Sequence, residues 1–217
     1  MILRTLMFGL AVLPLSAQAW DVRLEVPFPK GQNLPQTLIQ GTGQTVSGDL
    51  DTGHGAILSV NHRIIRMGPI LKFEWGLEFA HLVSDGQFQQ QNGTVQQSDT
   101  RLKQYGLGAG LNAQFWVPFV GVAAEMGLIQ RFHRYQYEVA GTTQNHDLAR
   151  TWLRVGVRWQ LPVPVFRPYV AASYQEPLAK DRPLKVNSAS DLSSYLSAQG
   201  SGQEFQRLWT FGVGAQF

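Results

Sequence analysis

Thirteen ionisable residues of this chain share one side of an alternating pattern. Lys72, Glu74 and Glu78 alternate with Leu71, Phe73, Trp75, Leu77 and Phe79, and Arg150, Arg154 and Arg158 alternate with Thr151, Leu153, Val155, Val157 and Trp159. The same parity collects Asp21, Arg23, Glu25, Arg63, Glu125, Arg131 and Arg167, so five acids and eight bases fall on one face. Charges brought together in a confined space must pair or be solvated. The chemistry they suggest is an interlocking ion-pair network, in which Glu74, Glu78 and Glu125 bridge arginines of the 149–161 segment. The excess of arginines also admits a second reading, a gated anion-selective path.

Nucleophilic or acid–base catalysis needs a Ser/His/acid or Asp/His constellation. The histidines are His54, His62, His81, His133 and His146. His81 has Ser84 and Asp85 nearby and His133 lies among Tyr135 and Tyr137, but neither forms a recognisable catalytic signature. No catalytic, cofactor or metal residue is assigned. Gly106-Leu107-Gly108-Ala109-Gly110 lacks the Lys-Ser/Thr of a phosphate loop, and its alternation continues to Phe115, so it reads as strand. Asp49-Leu50-Asp51-Thr52-Gly53 starts like a calcium loop but lacks the later Glu and reads as a turn. Asn92-Gly93-Thr94 has the form of a glycosylation sequon and reads as a loop tip.

The elements that position the charged face are strands, because a helix would scatter these charges around its circumference. Eight segments are predicted: 20–28, 54–65, 70–82, 100–116, 120–137, 149–161, 165–175 and 204–217. The connections near Met67-Gly68-Pro69, Val117-Pro118-Phe119 and Pro162-Val163-Pro164 are short. Those at 29–53, 83–99, 138–148 and 176–203 are long, polar and rich in Gly, Gln, Ser and Asn. Short turns on one rim and long loops on the other suit an all-β, eight-stranded, antiparallel, up-and-down transmembrane β-barrel, with short periplasmic turns and four long extracellular loops.

Composition agrees. Of 217 residues only 15% are charged, against about 25% in soluble domains. There are 22 glycines and no cysteine, which excludes a disulfide scaffold and a thiolate metal site. A net charge of +3 without clustering of Lys and Arg argues against nucleic acid as a partner. Residues 1–19 carry Arg4, an apolar run from Leu6 to Leu15 and Ala17-Gln18-Ala19, the pattern of a cleaved signal peptide. Residues 20–217 are then the barrel.

The strand glycines, Gly76, Gly106, Gly108, Gly110, Gly121, Gly127, Gly156, Gly212 and Gly214, share the charged face, while Trp, Phe, Leu and Val occupy the other. Small residues relieve crowding inside a narrow barrel, so the apolar face is assigned to lipid. Trp20, Phe115, Phe119, Trp159, Phe166 and Phe217 would ring the periplasmic edge, and Phe79, Tyr105, Phe132 and Phe205 the outer edge. An eight-stranded barrel is just wide enough for side chains to fill it, so a plugged lumen is expected.

The signal-like start, the eight amphipathic strands and the ending Trp209-Thr210-Phe211-Gly212-Val213-Gly214-Ala215-Gln216-Phe217 resemble small bacterial outer-membrane barrels of the outer-membrane protein A, outer-membrane protein X and opacity-protein type. The resemblance covers essentially all of 20–217. It implies that Trp209, Phe211, Val213 and Phe217 are read by the barrel assembly machinery, and that periplasmic chaperones escort a monomeric, non-enzymatic protein whose loops serve adhesion or envelope integrity. Some such barrels modify lipid A, an alternative activity, but the His-x-Ser element of lipid A deacylase barrels does not occur after His146. Arg101, Lys103, Arg134 and Arg207 fall on the lipid-facing parity at strand ends. Charges there cost little, and contact with lipopolysaccharide phosphates is the role expected of them.

Overall fold

A computed structural model describes residues 20–29, 32–39, 44–92, 94–139, 142–162, 167–178 and 208–217. The expected signal peptide, Phe166, Phe205 and Arg207 lie outside the described residues. The strands are β1 (Trp20–Pro29), β2 (Gln32–Ile39), β3 (Gln44–Leu50), β4 (His54–Met67), β5 (Leu71–Asn92), β6 (Thr94–Val117), β7 (Val122–Val139), β8 (Thr142–Gln160), β9 (Arg167–Pro177) and β10 (Leu208–Gln216). Eight of them run side by side in the order β5, β4, β1, β10, β9, β8, β7, β6, all antiparallel, and β6 pairs back onto β5 to close a barrel.

The stagger of the barrel can be followed residue by residue. A hydrogen-bonded row leaving Glu25 through Ile57, Ala80 and Gly106 reaches His133 on β7. The row leaving the other way through Gly212, Ala171 and Arg158 reaches Ala123, ten residues from His133. That stagger tilts eight strands by about 40° and leaves an interior that side chains can fill.

Alternation sorts the two faces. Leu107, Leu111, Phe132, Phe211 and Val213 are exposed on the outer wall, each by more than half. Arg131 and Arg158 are 1% exposed on the inner wall. Among the described residues no helix is long and apolar enough to cross a membrane, whereas a closed sheet pairs its backbone groups internally and can cross with strands.

Three expectations from sequence are corrected. The segments 83–99 and 138–148 are not loops: β5 runs to Asn92 and β6 resumes at Thr94, while β7 runs to Val139 and β8 resumes at Thr142. Segment 29–53 contains the β2–β3 hairpin, and β3 adds to residues 86–91 of β5. Beyond the apolar belt both faces of a strand meet water, so the backbone ladder continues without a period-two signal in the side chains. Gly121 is not a strand glycine. It ends the β6–β7 turn at φ +71°, after Pro118 and a left-handed Phe119 at φ +68°. Nor is the inner face free of large apolar groups, since Ile57, Leu82, Leu102, Trp116, Ile129, Trp152 and Leu208 are all buried there.

Close approach explains the inner glycine at position 110. A Cβ at Gly110 would lie 2.5 Å from the Leu128 carbonyl oxygen, inside contact distance with backbone that cannot give way. Gly110→Val is expected to abolish the heat-modifiable folded band on gels of unboiled protein. Leu111→Val, one residue along on the outer face, should retain it.

Candidate functional site: the charged lumen

The inward side chains form a stack from the short-turn end to the hairpin end. At the turn end, the Lys72 ammonium sits 4.2 Å over the Trp116 ring. Trp116 Nε1 donates to Gln114 Oε1 at 3.1 Å, and Gln114 Nε2 donates to Glu74 Oε2 at 2.6 Å. Arg167 is half-buried nearby on β9.

The next layer joins β1, β7, β8 and β9. Arg23 Nη2 donates to both Glu125 oxygens at 2.8 and 2.7 Å. Arg158 pairs with Glu125 at 2.6 Å and with Asp21, which also accepts the Tyr169 hydroxyl. The Arg158 guanidinium lies 3.9 Å over the Tyr169 ring. Four strands are thereby cross-linked through two carboxylates.

In the middle, Glu78 takes Arg131 at 2.6 Å and Arg154, and Arg154 also reaches Glu25 at 3.4 Å. Glu25 accepts from Thr210 at 2.8 Å and from Ser173 at 3.3 Å. A polar void of about 10 Å³ between Ser59, Asn61, Glu78, Asn112 and Arg154 has room for roughly one water.

Toward the hairpins, Arg131 donates to Gln175 and lies 4.8 Å over Trp152. Trp152 Nε1 donates to His133 Nε2 at 3.1 Å, and Gln104 sits 2.6 Å from Nδ1. A neutral imidazole that accepts at Nε2 carries its proton on Nδ1. Arg150 is buried at this end, and Ile57, Leu82, Leu102 and Leu208 are fully buried beside this polar group.

Of the lumen residues singled out from sequence, Glu78 and Glu125 meet Arg154 and Arg158 of the 149–161 segment, whereas Glu74 meets Gln114. Sequence reasoning gave no role in the network to the neutral partners Gln104, Gln114, Gln175 and Thr210, or to the aromatic supports Trp116 and Trp152. Their signal was parity: each falls on the same alternation as the charges.

Trp209, Phe211, Val213 and Phe217 face outward and are about half exposed. Arg101 pairs with Asp85 at 2.5 Å, and Arg134 holds Asp147 at 2.8 and 3.0 Å, all four side chains exposed. Lys103 is half-exposed on the same face. Among the described residues no group of His, Asp and Glu could hold a metal ion.

No family model and no curated protein matches this chain. Among solved structures, neisserial surface protein A is 15% identical, with TM-score 0.45, covering 91% of this chain and 95% of its own. Ail, the attachment invasion locus protein of Yersinia pestis, is 14% identical, with TM-score 0.43 and coverages of 93% and 100%. The translocator domain of the autotransporter NalP from Neisseria meningitidis is 11% identical, with TM-score 0.40 and coverages of 99% and 93%. The architecture of this chain is a closed, eight-stranded antiparallel barrel. One fold hosts several functions, so function is read from this chain's own side chains.

Removing one member of a buried pair leaves an uncompensated charge and costs about 3–5 kcal/mol, whereas an exposed pair contributes about 0–1 kcal/mol. Glu78→Ala should lower unfolding stability in lipid vesicles by about 3–5 kcal/mol. Asp85→Ala should lower it by less than about 1 kcal/mol. Urea titration followed by tryptophan fluorescence reads both.

Proposed function

We propose that this chain is a non-enzymatic protein of a Gram-negative-type outer membrane, a barrel with a plugged polar lumen that serves as a rigid base for a surface-exposed β-platform. The single observation that carries the reading is the interlocked set Asp21, Arg23, Glu25, Glu78, Glu125, Arg131, Arg154 and Arg158, all buried in the bore. Each carboxylate is shared between donors from different strands, so opening a path for ions would break several buried pairs together. Support for a catalytic role is weak because three histidines are committed elsewhere. His133 bonds to Trp152, His62 packs edge-on against Trp20, and His81 stacks on Tyr105.

Above the bore, β5 and β6 stay paired up to Asn92 and Thr94, and β2–β3 widens that sheet. The register sets Gln89 against Gln97 and Gln90 against Gln96. A hairpin built on a stiff barrel offers a preformed polar surface of the kind an adhesion or envelope-integrity role needs. Outward Phe211, Val213 and Phe217 support recognition by the barrel assembly machinery, with periplasmic chaperones before insertion and lipopolysaccharide around the inserted barrel.

Single-channel recording in planar bilayers tests the plug. The expected record is flat apart from brief flickers. Steady nanosiemens-scale opening would overturn the plugged reading in favour of the anion path. A variant lacking residues 86–99 should still fold and insert, measured by heat-modifiable mobility, while losing surface adhesion of cells that carry it.

A further inference from the structure

We propose that the short-turn mouth of the bore is a binding site for a phosphate group, held by Arg66, Lys72 and Arg167. The site lies at the end away from the hairpins, and three strands bring the cations to it. Lys72 lies on the first inward row of β5, its stem buried and its ammonium over Trp116. A bulge between Arg63 and Ile65 shifts the parity of β4, so that Ile65 stands opposite Phe73 and Arg66 directly opposite Lys72. Bulges re-aim side chains in this way. On an unbroken strand Arg66 would share the outward parity of Leu58, Val60 and His62. Like charges directly opposite on paired strands destabilise a sheet, and an anion seated between the two relieves the conflict.

Arg167 comes from the far wall. It shares the inward parity of the buried Tyr169 and Ala171. Its register row climbs toward the hairpins through Gln216, Asp21 and Asn61 to Gly76 on β5. Four of the eight strands carry half of the ten-residue stagger, about five residues, so Arg167 is level with Leu71 and Lys72. β9 is four strands from β5 either way round, and the two side chains therefore face each other across the mouth.

The carboxylates near this end are already engaged. Glu125 is shared by Arg23 and Arg158, and Asp21 is held by Arg158, Tyr169 and Gln216, so that layer sets two bases against two acids. Glu74 accepts from Gln114 and stands in register with Arg63. The turns 68–70, 118–121 and 161–166 contain no acid, and the Phe217 carbonyl oxygen takes the Trp20 amide at 3.3 Å. No ion pair among the described residues uses Arg66, Lys72 or Arg167. The charges that act on Lys72 are one carboxylate, Glu74, against Arg158, Arg66 and Arg167. Arg66 commits only Nε, to the Gly68 carbonyl at 3.0 Å, and is exposed. Three cations converging from three strands match an anion whose oxygens point apart, as those of a tetrahedral phosphate do. Two of the three are guanidinium forks, which bind phosphate through paired bonds. A planar carboxylate fills only two of the directions. The phosphate belongs either to a lipid headgroup at the rim or to a free ion, and both present the same oxygens.

Isothermal titration of the full chain, folded in a nonionic detergent, compares inorganic phosphate with potassium chloride at matched ionic strength. Phosphate should bind saturably and chloride should not. Lys72→Gln should weaken phosphate binding about tenfold, the effect of one charged hydrogen bond, and Arg66→Gln, at an exposed position, about threefold. Glu74→Gln, which removes the nearest opposing charge, should strengthen it. Heat-modifiable mobility establishes that each variant is folded, and the exposed Arg66→Gln change keeps the test decisive if the Lys72 variant does not fold. Phosphatidic acid added to the micelle assigns the source: loss of the phosphate signal gives the seat to a lipid headgroup, and an unchanged signal gives it to the free ion. Absence of saturable phosphate binding, equal binding of chloride, or a folded variant at position 66 or 72 that binds like wild type overturns the proposal.

Discussion

Hydrocarbon offers no hydrogen-bond partner, and that one constraint organises the molecule. Every backbone N–H and C=O at membrane depth must be paired within the chain, which for a sheet requires closure. Closure is visible at the termini of the sheet, where Trp20 and Phe217 exchange backbone hydrogen bonds at 3.3 and 2.9 Å. Once the ring is closed with a stagger of ten over eight strands, the bore is narrow enough for side chains to fill. Charged side chains have to solvate one another.

The mutual solvation has a particular geometry. Long arginine side chains from β1, β7 and β8 cross the bore, and glycines opposite charged residues on the neighbouring strand make room for their stems. A Cβ at Gly108 would come within 3.1 Å of the Arg131 Cγ, and one at Gly212 within 2.7 Å of the Glu25 Cγ. Large apolar residues on the inner wall also serve the charges: Trp116, Trp152 and Tyr169 give guanidinium and ammonium groups a ring face where a carboxylate does not reach. The ion pairs, rings and glycines form one packed interior, and that interior is what the proposed role as a base for the hairpins draws on.

Much of this was legible in the sequence because the membrane imposes a period of two. Lys72-x-Glu74 and Arg154-x-x-x-Arg158 set the inner face, and Leu107, Leu111 and Phe115 the outer one. Legibility ended where the constraint ended. Past Ser84 on β5 the apolar alternation fades, and paired strands look like polar loops. Which acid meets which arginine was also hidden, because parity fixes the face but not the height. Glu74 lies in register with Asn112 and Arg63 and takes its hydrogen bond from Gln114 of β6. Trp152 was readable in principle, as an aromatic between Arg150 and Arg154 on the charged parity. The ion pairs Arg101–Asp85 and Arg134–Asp147 depend on hairpin register beyond the belt, which no periodicity carries.

The account stands or falls on which face meets lipid. The chain has no cysteine, so single cysteines at Leu77, Leu107, Leu128 and Val155 can each carry a nitroxide in protein reconstituted into phospholipid bilayers. Collision with dissolved oxygen is predicted to exceed collision with a water-soluble nickel relaxant at all four positions. Dominant nickel contact at those positions would place the apolar wall in water and the charged wall elsewhere, contradicting the inside-out barrel.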